Sequence, residues 1–471
     1  MVVSQRDSLR KDTRSEAEVT KCRPEVQPPQ CVPHTDTAAP GAPGHEAVQP
    51  GRARWSYRQL RSLLRLRTFA ALRHREFLLL WSGQAATAMA MWMDQVVRGW
   101  LMYTLTNSPL QLGLVQGIQA LPILVLSPVA GSVADRYPRK LQMVAAQVLA
   151  GLMYVVLALL IITGHIQPWH VYATAFGMAI VQTFHQPARA AMVAEAVPPH
   201  HLTNAIGLTS IVFNMARSTG PALAGFLIAT LGMASCYAVQ AGLYLVAIVW
   251  TLQLRPDPIT ATSMHGRATH GASFGQSIVE GWTFSWRNEE VRAGLLIMMC
   301  ASLFIVPFTT LLPVFARDLL GVGATGQGGL LMAMGMGALC SAVFLASFGD
   351  RLPRGLLMLG GVTLYGLSVV AFAASPSFRL SLGLMTLVGL AHVSSHALVQ
   401  TVVQTYSPSA FRGRTMAIFH MSSVVMTLGS MLVGTLAALV GARWAVASMG
   451  AVGALTMVTI GVALPRARRI R

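Results

Sequence analysis

Apolar blocks as long as a bilayer is thick follow one another along most of this 471-residue chain, Leu141–Ile162 and Cys236–Leu254 being the clearest. A helix advances about 1.5 Å per residue, so roughly 20 apolar residues carry it across a hydrocarbon core. Only 11% of the residues are charged, against about 25% in a soluble domain, too few to cover a water-facing surface. The pattern predicts an all-α membrane protein. From Phe77 onward it reads as twelve spans, near 78–104, 110–133, 140–163, 168–188, 203–230, 234–254, 292–315, 325–348, 355–374, 380–403, 413–440 and 444–464. The polar stretch 255–290, which contains RPDPITATSMHGRATHG, divides them six and six. The expected organisation is a first six-helix bundle over 77–254, a cytoplasmic linker over 255–290 and a second bundle over 291–465.

The net charge of +18 comes from the two ends of the chain and from alternate short loops, the distribution produced when cationic loops stay in the cytoplasm. Arg136, Arg139 and Lys140, then Arg351 and Arg354, then Arg412 and Arg414 mark that side, while Arg317, Arg379 and Arg443 are isolated cations on the other. Both termini are then cytoplasmic. A nucleic-acid partner would need a folded basic face with base-reading or stacking groups, which the pattern lacks. Residues 1–51 are polar and rich in Pro, Gly and Thr, a composition that cannot offset chain entropy and reads as a disordered tail. Residues 466–471 form a short basic tail. Residues 52–76 mix Arg with Trp55, Leu60, Leu63, Leu64 and Phe69. This segment is either a basic amphipathic helix lying on anionic lipid or a charged stretch that enforces topology. The first residues lack a signal-peptide pattern. Five cysteines, Cys22, Cys31, Cys236, Cys300 and Cys340, show no metal-ligand spacing.

The halves repeat. DRYPRK at 135–140 returns as DRLPRG at 350–355, and GPALAG at 220–225 has a looser echo in GSMLVG at 429–434. Offsets of 215 and 209 positions indicate duplicated, pseudo-symmetric bundles of the kind found in transporters.

GSVADRYPRK, 131–140, resembles the loop signature of the major facilitator superfamily, the match covering Gly131, Asp135, Arg136, Arg139 and Lys140. GWLMYTLTNSPLQLGLVQG, HQPARAAMVAEAVPPHHLTNAIGL and NMARSTGPALAG are similar to the branch that holds enterobactin exporters and macrolide efflux proteins, over about residues 72–465. The resemblance implies the major facilitator fold and alternating access. It also implies that the loop after the second span sits beside the start of the eleventh helix, near Arg412 and Arg414. Asp350, with Arg351 and Arg354, would approach the start of the fifth helix near Asn204. These contacts would latch the cytoplasmic side shut, a role compatible with simple topology determination. GPALAG, with Asn214, Arg217, Gly220, Pro221 and Gly225, resembles the Gly-Pro motif of exporting, antiporter members. Ala224 replaces a glycine of that pattern, and a generic packing kink is the competing reading.

Polar residues at helical spacing on a membrane helix face protein or a water-filled path. Thr87, Met91, Asp94 and Arg98 share one face of the first span, with Trp92 beside them. His185 falls in the fourth span, and His392, Ser395, His396 and Gln400 form a stripe on the tenth. In the superfamily the first, fourth, seventh and tenth spans line the central cavity, so these are candidates for substrate contact. His392 and His396 have i,i+4 metal-ligand spacing but no partner carboxylate, and we expect no metal and no organic cofactor. Asp94 is the one carboxylate well inside a predicted span. It either loads and releases a proton or is neutralised by Arg98 one turn away. We therefore expect a monomeric, non-enzymatic exporter of a drug-like molecule, siderophore or metabolite in a bacterial cytoplasmic membrane, energised by the proton gradient. Uptake of a small organic solute and a non-transporting sensor or scaffold are the alternatives.

Overall fold

The computed structural model describes residues 67–255, 274–348, 353–464 and 468. The expectations for the tail 1–51, most of the segment 52–76, linker residues 256–273, Asp350 and Arg351, and all of 466–471 but Arg468 lie outside the described residues. So do the side chains of Asp135 and Arg136. The rest is helical, with no strand among the described residues.

The first half holds α1 (Arg75–Thr106), α2 (Pro109–Arg136), α3 (Arg139–Ile162), α4 (Pro168–Glu195) and α5 (Leu202–Leu252). A helix α6 (Phe274–Arg287) follows, so the expected linker is helical over that part. The second half holds α7 (Glu289–Cys300), α8 (Gly323–Phe348), α9 (Arg354–Ala374), α10 (Phe378–Tyr406), α11 (Ser409–His420), α12 (Ser422–Val440) and α13 (Ala442–Ala463). Nine helical stretches among the described residues are long and apolar enough to cross a membrane.

Local chemistry sets the breaks. Pro109 and Pro168 occupy first helical positions, where their missing N–H costs nothing. Asn107 ends α1 in the left-handed conformation, φ 49°, as Asn tolerates. Gly232, φ 81°, breaks α5 into two legs. Pro307 and Pro313 disrupt the ladder after α7, which continues through π and 3-10 turns to Leu319. Asp318, expected in a loop, is therefore in the last helical turn. Residues 67–73, within the described part of the segment ahead of α1, form a 3-10 helix. There Ala71 is buried with Phe77, Val197 and Leu208, and its N–H donates to Asn204 Oδ1 at 3.0 Å. Asn204, near which Asp350 is expected to approach, thus accepts from Ala71, while Asp350 itself lies outside the described residues.

Two seams join the halves. On α2, a Cβ at Gly113 would stand 2.6 Å from the Ser430 carbonyl and 3.3 Å from Gly434 Cα of α12. On α5, a Cβ at Gly225 would stand 2.6 Å from the Ala324 carbonyl and 3.2 Å from Gly328 Cα of α8. Each seam is a reciprocal glycine pair in which backbone lies against backbone. The seams extend to Gly117 against Met431 and to Ser218 against Gly335. Toward the DRYPRK turn the same helices are exposed: Leu121, one turn beyond Gly117, is 60%, Met215, one turn before Ser218, 56%, and Val343, two turns beyond Gly335, 67% exposed. The halves are zipped from one end to mid-depth and parted toward the other, which we call the basic end.

Candidate functional site

At mid-depth, where the seams part, α5 and α10 face each other across a cavity of about 200 Å³. Asn214, Arg217, His392, His396 and Gln400 supply its polar lining. An apolar recess shares the two histidines and continues to Ile297, Met298 and Val306 of the irregular stretch around the end of α7, and to Tyr365 of α9. Tyr365 stacks edge-on against His392 at 5.1 Å, and Phe419 against His396 at 5.5 Å. Small residues are what let Arg217 reach this place. Gly220 lies against Trp92 of α1, where a Cβ would come within 2.9 Å. One turn earlier, the Arg217 guanidinium sits 5.4 Å above the Trp92 ring. Phe213 fixes that indole edge-on at 5.6 Å.

Five sequence candidates therefore converge on the cavity, and Trp92 borders it through Arg217. Thr87 does not line it; it is buried and donates to the Gly83 carbonyl of its own helix. His185 is buried in the first half, its Nε2 without a partner among the described residues. The described residues bring together no third metal ligand beside His392 and His396.

Asp94 and Arg98 point elsewhere than the expected cavity face. Arg98 is 5% exposed and turns into the first half. It donates from Nε to Asp94 Oδ2 at 2.9 Å and from Nη2 to Oδ1 at 3.1 Å. Its third nitrogen donates to Thr174 Oγ1 at 3.1 Å and the Val171 carbonyl at 3.4 Å on α4. The ion pair is bidentate within α1, and Arg98 alone carries it across to α4. Tyr154 stacks on Tyr237 and meets Tyr244 at a tilt of 50° beside it, and the hydroxyls of Tyr154 and Tyr237 are buried with no partner among the described residues. The carboxylate faces a membrane-buried phenol cluster, because the partner its guanidinium needs lies on α4. Tyrosines inside apolar spans were the available signal for that cluster.

The basic loop residues are engaged within their own halves. Arg139 pairs with Glu195 at the end of α4, and Lys140 donates to the carbonyls of Leu252 and Leu254 at 2.6 and 2.7 Å. Arg412 donates to the Gln404 carbonyl, and Arg414 pairs with Glu280 of α6. Arg139, Lys140, Arg412 and Arg414 are the latch residues these contacts describe; the latch acids, Asp135 and Asp350, lie outside the described side chains. At this end His74 and His201 share a 3.0 Å hydrogen bond. Dehydration, then His200, His74 and Arg73, push the His201 imidazole below its ordinary pKa.

Sequence reasoning missed a cluster at the zipped end. Tyr103 of α1 donates its hydroxyl to Asp318, while Arg317 contacts Asp318 at 3.1 Å, lies 4.5 Å above the Tyr103 ring and reaches Asn107. These residues join the end of α1 to the end of the α7 stretch. A hydrogen bond to a charged group contributes about 1.5–3 kcal/mol, less where water competes. Asp318→Asn is therefore expected to loosen this end several-fold. The measure is the maleimide labelling rate of an Ala324→Cys reporter, whose position is buried in the adjoining seam, in a background without the native cysteines. An unchanged rate would remove the cluster from the closure.

Apolar stretches long enough to cross a membrane, with a polar cavity where two halves part, are the features of a membrane transporter. The chain belongs to the Transmembrane secretion effector family of major facilitator transporters, whose model matches residues 66–469. It is 27% identical over 79% of its length to the multidrug efflux pump Tap of Mycolicibacterium fortuitum, covering 91% of that protein. It is 25% identical over 74% of its length to the staphyloferrin A transporter of Staphylococcus aureus, covering 86%. The fold matches a bacterial homologue of the human lysosomal transporter Spinster with a TM-score of 0.63 at 16% identity, over 84% of this chain and 95% of that one.

Proposed function

We propose that this protein exports a small organic molecule across a bacterial cytoplasmic membrane by alternating access, as a proton antiporter. It does so as a monomer of twelve membrane helices in two six-helix bundles, needing no metal or organic cofactor. The twelve-span reading adds Arg75–Thr106 and Pro168–Glu195 to the nine apolar stretches and divides Leu202–Leu252 at Gly232. Relatives named for multidrug efflux and siderophore transport support export.

One observation carries the mechanism: the seams are closed at one end and parted at the other. The positive-inside rule puts the parted, basic end in the cytoplasm, so this is the state that loads substrate from inside. Rocking the halves would open the glycine seams and bring the loop after α2 toward Arg412 and Arg414, where the latch then forms. Anionic lipid headgroups would neutralise residues 52–76. For the energy source we assign Asp94. Its protonation leaves the Arg98 guanidinium, still bonded to α4, without a countercharge, so the buried site favours a different arrangement in each protonation state.

Inside-out vesicles test this reading. A panel of drug-like and siderophore-like solutes should include one whose uptake rises when an inward-acidic gradient is imposed. Uptake indifferent to the gradient would overturn antiport, and efflux from these vesicles would overturn export.

A further inference from the structure

The geometry points to an organic anion, an aromatic or apolar body bearing a carboxylate, as the substrate held in the central cavity. This deepens the export reading and rests on it. The reasoning is one of charge balance. Arg217 lines the cavity at mid-depth with no hydrogen-bond or carboxylate partner among the described residues; its guanidinium lies over the face of Trp92. No Asp or Glu lines either the cavity or the adjoining recess. Asp94 cannot serve, since both its oxygens are taken by Arg98 on the far side of α1. A structural arginine in a membrane protein is normally paired with an acid or with carbonyls. This one keeps its donors for a ligand.

The surroundings favour an anion further. His392 and His396 add donors and no negative charge, and Asn214 and Gln400 add neutral hydrogen-bonding groups. An uncompensated cation in a low-dielectric cleft sets up a positive potential that concentrates anions and repels cations. The guanidinium fork matches a carboxylate bidentately, which an ammonium does not. The apolar part of the ligand has its own place. The recess beyond the histidines is walled by Ile297, Met298, Val306 and Tyr365. That recess holds about 20 Å³, room for the edge of a ring, so the bulk of the ligand lies in the larger cavity with its carboxylate toward Arg217.

Three probes of one shape isolate the charge: 2-naphthoate, 2-naphthamide and a naphthyl trimethylammonium salt. Binding is read by thermal stabilisation and equilibrium dialysis of the purified full chain in detergent. The expected order is naphthoate tighter than the amide by about tenfold or more, with the cation weakest. Arg217→Gln should erase the difference between acid and amide, and Arg217→Lys should keep part of it. The comparison on the unaltered protein stands even if a variant folds poorly. Absence of saturable naphthoate binding, equal binding of acid and amide, preference for the cation, or full discrimination in Arg217→Gln would each overturn the proposal. Flux in proteoliposomes separates this site from the export reading. Anion-selective binding without flux leaves the site and removes export. Flux confined to neutral or cationic compounds leaves export and removes the anion site.

Discussion

Gly328→Leu should reduce transport at least about tenfold while the protein still inserts and folds. A Cβ at Gly328 would stand 2.5 Å from the Pro221 carbonyl and 3.3 Å from Gly225 Cα. Both neighbours are backbone atoms of a packed helix and cannot rotate away. Overpacking of one or two methylenes costs about 1–3 kcal/mol in a tight site, and each 1.4 kcal/mol is a factor of about ten in a conformational equilibrium. The penalty falls on one state only. The seam lies between the halves, so each half keeps its own core, but the arrangement with this end zipped is wedged apart. Gly113→Leu in the other seam should behave in the same way. Gly360→Leu on α9 is the control, since a Cβ there meets nothing within 4 Å. Substrate flux in vesicles, normalised to folded protein, gives the answer. Wild-type flux in Gly328→Leu would mean that the glycine seams do not close during the cycle.

Asp94→Asn should abolish gradient-driven flux, a loss of at least an order of magnitude, without preventing folding. The amide keeps one acceptor for Arg98, and Arg98 retains Thr174 and the Val171 carbonyl. What the amide cannot do is change charge. Arg98→Ala is the contrasting case. It strands Asp94 among buried phenols, and breaking a buried pair costs about 3–5 kcal/mol, so this variant should fail to accumulate. Full coupled activity in Asp94→Asn would make the pair a clamp and nothing more.

Much of the frame was legible because bilayer physics writes it into the chain. Long apolar runs gave the helices, and basic loops gave their direction. The repeat went further than its motifs suggested. Gly113 and Gly328 are 215 positions apart, the offset between the two DR turns, and Gly225 and Gly434 are 209 apart, the offset of the GPALAG echo. Both glycine pairs of the seams are thus related by the duplication. Side-chain direction was less legible. Asp94 shares a helical stripe with Met91 and Arg98, yet the stripe alone cannot tell a cavity wall from a bundle interior. That choice depends on Thr174 and Val171, more than 70 positions away. Arg217 shows the converse. The sequence placed it only within the Gly-Pro motif of the fifth span, whereas three dimensions leave it facing the cavity. Asp318 was hidden because the charged pair Arg317-Asp318 ends the apolar run while the helical turns continue to Leu319.

Distances across the two ends of the molecule test the central claim most directly. Spin labels at Leu141→Cys on α3 and Leu356→Cys on α9 report the basic end; labels at Ile162→Cys and Leu380→Cys report the opposite end. All four positions are at least half exposed. On reconstitution with a proton gradient and a transported substrate, the basic-end distance should shorten in the same population in which the opposite-end distance lengthens. Distances that both hold still, or that lengthen and shorten together, would contradict alternating access about the glycine seams.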